Sequence, residues 1–128
     1  DLVTVKKPGG KRRVSIVATG SMLKMASDLC KSFSSLGLVS APSLKPISKD
    51  QVDELCKSND CLITLEEHSI FGGLGSIFCE LASSCTNIKI HKIGVQDRFS
   101  ENCGTYEYLL QEHKIDFISL KNQITELL

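Results

Sequence analysis

Apolar residues along the chain fall into two alternating regimes, short continuous runs and longer stretches spaced by three and four, and this alternation predicts strands followed by helices. The clearest change of regime lies in CLITLEEHSIFGGLGSIFCE, residues 61–80. Cys61, Leu62, Ile63, Thr64 and Leu65 form the kind of run expected of a strand buried on both faces of a parallel sheet. The run ends in Glu66, Glu67 and His68, and Ile77, Phe78, Leu81 and Ala82 then resume at helical spacing. Between them Gly72, Gly73 and Gly75 give the backbone freedom to turn, through positive φ or through close approach of helix to strand.

Taken in order, LVTV at residues 2–5 predicts an edge strand, and the turn in KKPGGK leads to a strand over residues 14–18, which together read as a hairpin. Thr19, Gly20 and Ser21 make a tight turn with Ser21 as helix cap. Met22, Met25, Ala26, Leu29, Phe33 and Leu36 follow on one helical face, closed by Gly37. A short strand at 38–41 precedes PSLKPIS, whose prolines predict an extended connection. Ser48 and Gln51 form a capping-box pattern for a helix over 49–57, with Val52, Leu55 and Cys56 facing inward. Residues 88–95 predict another strand and QDRFSENCG a loop. TYEYLLQEH and FISLKNQITELL read as two amphipathic helices, the last presenting Phe117, Leu120, Ile124 and Leu127 on one face. The order strand, helix, strand, helix implies parallel strands covered on both sides. The expected fold is therefore a three-layer α/β/α domain on a five-stranded mixed sheet, four strands parallel and the N-terminal edge strand antiparallel.

Composition narrows the function without defining it. The 128 residues, 41% hydrophobic, suffice for one domain with its own core and no staples. Fifteen basic and fifteen acidic residues cancel, and the basic run stops at Lys11, Arg12 and Arg13, so nucleic acid is not an expected partner. No apolar run reaches membrane-spanning length and no leader pattern is visible, which predicts a cytoplasmic protein. Six cysteines without a CxxC pair are expected as free thiols. Cys103, in a loop, is the expected exposed one, and no histidine is placed to make it a nucleophile.

The candidate chemistry collects at the carboxyl end of the strand beginning at Cys61, the usual edge for ligands in open α/β sheets. Gly72, Gly73, Gly75 and Ser76 open a helix and are candidates for anion binding or an interface, although the segment lacks a nucleotide-loop lysine and does not match GxGxxG. Glu66, Glu67 and His68 are adjacent on an extended segment, so at most two share a focus. His91 and His113 stand in no ligand spacing to His68, and no metal site is expected. Asp97 and Arg98 are candidates for a local pair or for recognition of a partner.

Four segments, VSIVATGSM (14–22), SLKPIS (43–48), LITLEEHSIFGGLGSIFCE (62–80) and IGVQDRFSENCGTYEYLL (93–110), together resemble the C-terminal domain of transketolases. Gln96 stands where that family commonly has proline, and SENCG replaces a GESG-like run. The resemblance implies the same three-layer fold and an accessory, dimer-shaping role. In the family, thiamine diphosphate and magnesium are held by two other domains, a pyrophosphate domain and a pyrimidine domain, and the enzyme is a homodimer. The parent enzyme implied is a transferase of the pentose phosphate pathway that moves a two-carbon ketol unit between sugar phosphates. This chain has no GDG with a downstream asparagine, and Asp1 stands in place of a start methionine, so the expectation is a piece of a longer polypeptide that binds no cofactor and has no catalytic residue of its own. Glu66, Glu67, His68, Asp97 and Arg98 then become domain-docking candidates. Deoxyxylulose-phosphate synthase and the beta subunits of 2-oxoacid dehydrogenases carry similar terminal domains. A split-enzyme subunit and a free-standing module that binds a small anion are the other readings.

Overall fold

The computed structural model describes residues 2–42, 47–69, 73–85, 87–95 and 116–128. Five strands, β1 (Val3–Lys6), β2 (Val14–Thr19), β3 (Gly37–Ala41), β4 (Cys61–Ser69) and β5 (Lys89–Val95), form one sheet in the order β1-β3-β2-β4-β5. The pairs β2–β3, β2–β4 and β4–β5 are parallel, and β1 runs antiparallel to β3. Helices α1 (Leu23–Ser32) and α4 (Phe117–Leu127) cover one face, α2 (Lys49–Ser58) and α3 (Leu74–Leu81) the other.

Strict alternation along the central strands divides the core. Ile16, Ala18, Cys61, Ile63 and Leu65 pack against Ala26, Leu29, Leu120 and Ile124. Val17, Val39 and Leu62 pack against Val52, Leu55, Leu74 and Phe78. A strand with helices on both sides has no polar face, which is why residues 61–65 read as a continuous apolar run. The last helix keeps its expected face, with Leu120, Ile124 and Leu127 buried and Phe117 packed beside them. Asp116 caps it, accepting from Ser119 N–H at 3.4 Å.

Three local expectations are corrected. β1 and β2 do not form a hairpin, because both edges of β2 are taken by β3 and β4 in parallel ladders and β1 pairs outside β3. The connection passes beneath the start of β3, where Gly9 N–H donates to Ser35 O at 2.9 Å and Gly10 adopts φ 78°. Gly37 does not close α1, which ends at Ser32; it opens β3. Its missing side chain serves packing, since a Cβ there would lie 2.8 Å from Pro8 N and against Ser15 Oγ. Ser21 is exposed and caps nothing, because a 3-10 turn at Gly20–Met22 leads into α1 with no side-chain cap.

The capping box at α2 is half formed. Ser48 accepts from Gln51 N–H at 3.4 Å, but the Gln51 amide turns to the edge strand, accepting from Leu2 N–H at 3.1 Å and donating to Leu2 O at 3.2 Å. Opposite the carboxyl ends of the strands, Arg13 and Asp60 tie β2 to β4. Arg13 N–H donates to Asp60 Oδ2 at 2.9 Å, Asp60 N–H returns to Arg13 O at 2.7 Å, and the guanidinium reaches Asp60 Oδ1 at 3.2 Å. The guanidinium and the backbone donor hold the Asp60 carboxyl below its usual range.

Gly37→Ala is expected to lower unfolding free energy by roughly 1–3 kcal/mol, since the colliding atoms include backbone. Gly9→Ala, where a Cβ meets nothing within 4 Å, is expected to change it by less than about 1 kcal/mol. Urea unfolding of the two variants checks the contrast, and equal losses would remove the packing account of Gly37.

Candidate functional site

The carboxyl ends of β2, β4 and β5 lie along one edge of the sheet because these strands are parallel. The crossover from β2 to β3 carries α1 on one face, and the crossover from β4 to β5 carries α3 on the other. The chain therefore reverses its winding between β2 and β4, which opens a crevice beyond their ends. Glu66, in β4, stands at that switch point.

β4 does not stop at Leu65 as its apolar run suggests; it continues through Glu66, Glu67 and His68 to Ser69. The extension has an irregular register, Leu65 facing Ile93 and Ser69 facing Val95, so that four steps along β4 match two along β5. Bulges of this kind re-aim side chains and are common beside functional sites. Glu66 is buried at 2% exposure on the face shared with Leu62 and Thr64, whereas Glu67 is half-buried.

The Glu66 carboxylate accepts from Gly75 N–H at 3.1 Å. This amide belongs to the first turn of α3, where backbone donors lack helical partners and the dipole favours a negative group. The chain thus places its own carboxylate on a donor that an external anion would otherwise use. Gly75 also explains the glycine cluster, since a Cβ there would lie 2.5 Å from Lys92 Cγ and 2.7 Å from Thr64 Oγ1. α3 approaches β4 and β5 at a distance only glycine permits.

Gly73 is buried and precedes the helix with φ −95° and ψ −155°, extended values that any residue adopts. The positive-φ reason for that position is therefore corrected, and at Gly75 the reason is close approach of helix to strand. Ser76 is half-buried in the first turn. The structure brings Glu66, Gly73, Gly75 and Ser76 together. Gly72, Asp97, Arg98, Cys103 and the helix expected at residues 105–113 lie outside the described residues, and of His68 only the backbone position in β4 is described. Sequence reasoning missed Thr64 and Lys92 as the walls against which Gly75 packs. Thr64, the one polar side chain in its apolar run, was the available signal.

His91 lies on β5 opposite Ile63, and burial together with the nearby Lys89 pushes its pKa down. Among the described residues no three His, Cys, Asp or Glu side chains gather as metal ligands, and no helix is long and apolar enough to cross a membrane.

An open α/β sheet with an antiparallel edge strand, a switch-point carboxylate and a glycine-packed helix after β4 together define the fold and its candidate site. The model of the transketolase C-terminal domain matches residues 3–117, and the chain belongs to that family. Its structure is similar to that of a split-gene transketolase solved as an inactive β4 tetramer, with TM-score 0.84, 31% identity and coverage of 98% of this chain and 41% of that one. A transketolase mutant from Pichia stipitis shares the fold at TM-score 0.67 and 19% identity, over 98% of this chain and 17% of the other. A Methanocaldococcus jannaschii protein named as a transketolase C-terminal section is 33% identical over 118 residues, 88% of this chain and 36% of that protein. The 1-deoxy-D-xylulose-5-phosphate synthase of Clostridium tetani is 28% identical over 123 residues, 92% of this chain and 20% of the enzyme. The chain thus spans about a fifth of such synthases.

Replacing Glu66 by Leu is expected to destabilise the fold by about 1–3 kcal/mol, because the buried Gly75 N–H loses its acceptor. Glu66→Gln, which keeps an acceptor oxygen, is expected to cost less. Gly75→Ala is expected to cost about 1–3 kcal/mol through collision with Thr64 and Lys92. Thermal and urea unfolding check the order; a Leu variant as stable as the Gln variant would show that the Glu66–Gly75 bond does not hold α3.

Proposed function

We propose that residues 1–128 are a single accessory domain of a thiamine diphosphate enzyme that transfers a two-carbon ketol unit between sugar phosphates. The observation that carries this reading is the match to the split-gene transketolase over 98% of the chain. That protein's description as an inactive β4 tetramer further supports a transketolase part without activity of its own. The domain's task is docking. Glu66 anchors α3 to β4, and the edge around Glu67 and His68 is the surface offered to the pyrophosphate and pyrimidine domains and to dimer formation in the parent enzyme; Asp97 and Arg98 are docking candidates on their sequence alone.

The described residues do not fit thiamine diphosphate and magnesium. No cation-ligand cluster is present among them, and the Gly75 amide at the start of α3 already carries the Glu66 carboxylate in the place of a diphosphate oxygen. Cofactor chemistry is assigned to the other domains, and a cytoplasmic location goes with this reading.

A second reading follows from the synthase relatives, the parent being a 1-deoxy-D-xylulose-5-phosphate synthase. Assaying the parent for that product against ketol exchange between sugar phosphates separates the two.

The isolated chain is expected to give no binding heat in calorimetry with thiamine diphosphate and magnesium, and no ketol transfer; micromolar binding would overturn the accessory reading. In the parent enzyme, His68→Ala is expected to lower turnover at every pH while both limbs of the bell-shaped profile remain. Loss of one limb would instead make His68 an acid or base in the reaction.

A further inference from the structure

Away from the sheet edge, α2 and the turn after α3 enclose an open cleft of about 400 Å³ lined by Asp53, Cys56, Lys57, Ser84 and Cys85. Two of its five lining residues are thiols, and they come from different elements. Asp53, Cys56 and Lys57 are spaced by three and four along α2 and so share a side of that helix. The turn holding Cys85 is fixed by Cys85 N–H donating to Ala82 O at 2.9 Å. Lys49 Nζ spans the gap, reaching Asp53 Oδ2 at 3.1 Å and Ser84 Oγ at 3.3 Å. Cys85 Sγ lies 3.5 Å from Asp53 Oδ1, and Cys56, three residues beyond Asp53 along α2, lines the same cleft. Both are half-buried, so a small molecule entering the cleft meets them together.

We propose that Cys56 and Cys85 are a dithiol modification site that exchanges with low-molecular-weight disulfides and closes an intramolecular bridge between α2 and the turn after α3. Two thiols that line one cleft from α2 and the turn after α3 can be bridged once their Cα atoms stand about 6 Å apart. In the first step Cys85 loses its proton and its thiolate attacks one sulfur of the oxidant. A mixed disulfide forms and the first oxidant thiolate leaves. Cys56 then loses its proton and attacks the Cys85 sulfur, expelling the second thiolate. The protein dithiol is oxidised by two electrons, the small disulfide is reduced, and the two protons end on the two released thiols.

Burial, the neighbouring Cys85 thiol and the Asp53 carboxylate push the Cys56 pKa up to about 12. Cys56 is thus protonated near neutrality, which makes the second step the slower one and accelerates closure as pH rises. The bridge closes a loop from position 56 to position 85 that contains all of β4 and α3, including Glu66 and Gly75, so oxidation restrains the elements that form the candidate site.

The test treats the reduced chain with oxidised glutathione at pH 7 and pH 8.5, traps residual thiols by alkylation and maps peptides by mass spectrometry. The expected result is a Cys56–Cys85 cross-link that forms faster at the higher pH, is reversed by dithiothreitol and raises the thermal midpoint of the oxidised chain. C56S is expected to stop at a glutathione adduct on Cys85, and C85S to form no bridge. The exposed Cys79 serves as an internal comparison that takes an adduct without bridging. Cysteines 56 and 85 that both remain alkylatable after treatment, or a bridge from either of them to another cysteine, would overturn the proposal. A midpoint unchanged by a mapped Cys56–Cys85 bridge would overturn its restraint of β4 and α3.

Discussion

The candidate site depends on how closely α3 can lie on β4. At Gly75 the helix backbone comes so near Thr64 and Lys92 that a single added carbon would sit 2.5–2.7 Å from them. The same approach brings Gly75 N–H within 3.1 Å of the Glu66 carboxylate, so one glycine satisfies a steric and a hydrogen-bonding requirement together. Moving α3 outward would expose Leu74 and Phe78, both fully buried, and leave a buried donor and a buried carboxylate to find other partners.

Everything else in the fold brings that contact to the right edge. Parallel pairing of β2, β4 and β5 aligns their carboxyl ends, and the reversal of winding between β2 and β4 leaves space beyond them. The opposite edge is closed by the Arg13–Asp60 ties and by the buried Ser15 Oγ–Asn59 Oδ1 contact at 2.5 Å. One end of the sheet is stitched shut and the other presents a bulged strand with acidic residues.

Much of this was legible in the residues. Continuous apolar runs marked the central strands because those strands are covered twice, and the spacing of Leu120, Ile124 and Leu127 marked the last helix because it packs on one side only. The partner of β1 was not legible, since strand pairing depends on which ladder edges remain free, and nothing in KKPGGK records that β3 and β4 already flank β2. Gly37 looked like a helix stop because glycine is common there, whereas its reason is a long-range encounter with Pro8 and Ser15. In the site, the acidic cluster and the glycines were visible, but the steric reason for Gly75 required the Thr64 and Lys92 walls.

The proposed role is that of a domain supporting an active site it does not contain. It is tested most directly by deleting these residues from the parent polypeptide, adding the 128-residue chain back in trans and measuring ketol transfer against its concentration. The account predicts a truncated parent with little activity, a chain with none, and saturable recovery when the two are mixed. A truncated parent of undiminished activity, or a chain that catalyses the transfer by itself, would contradict it.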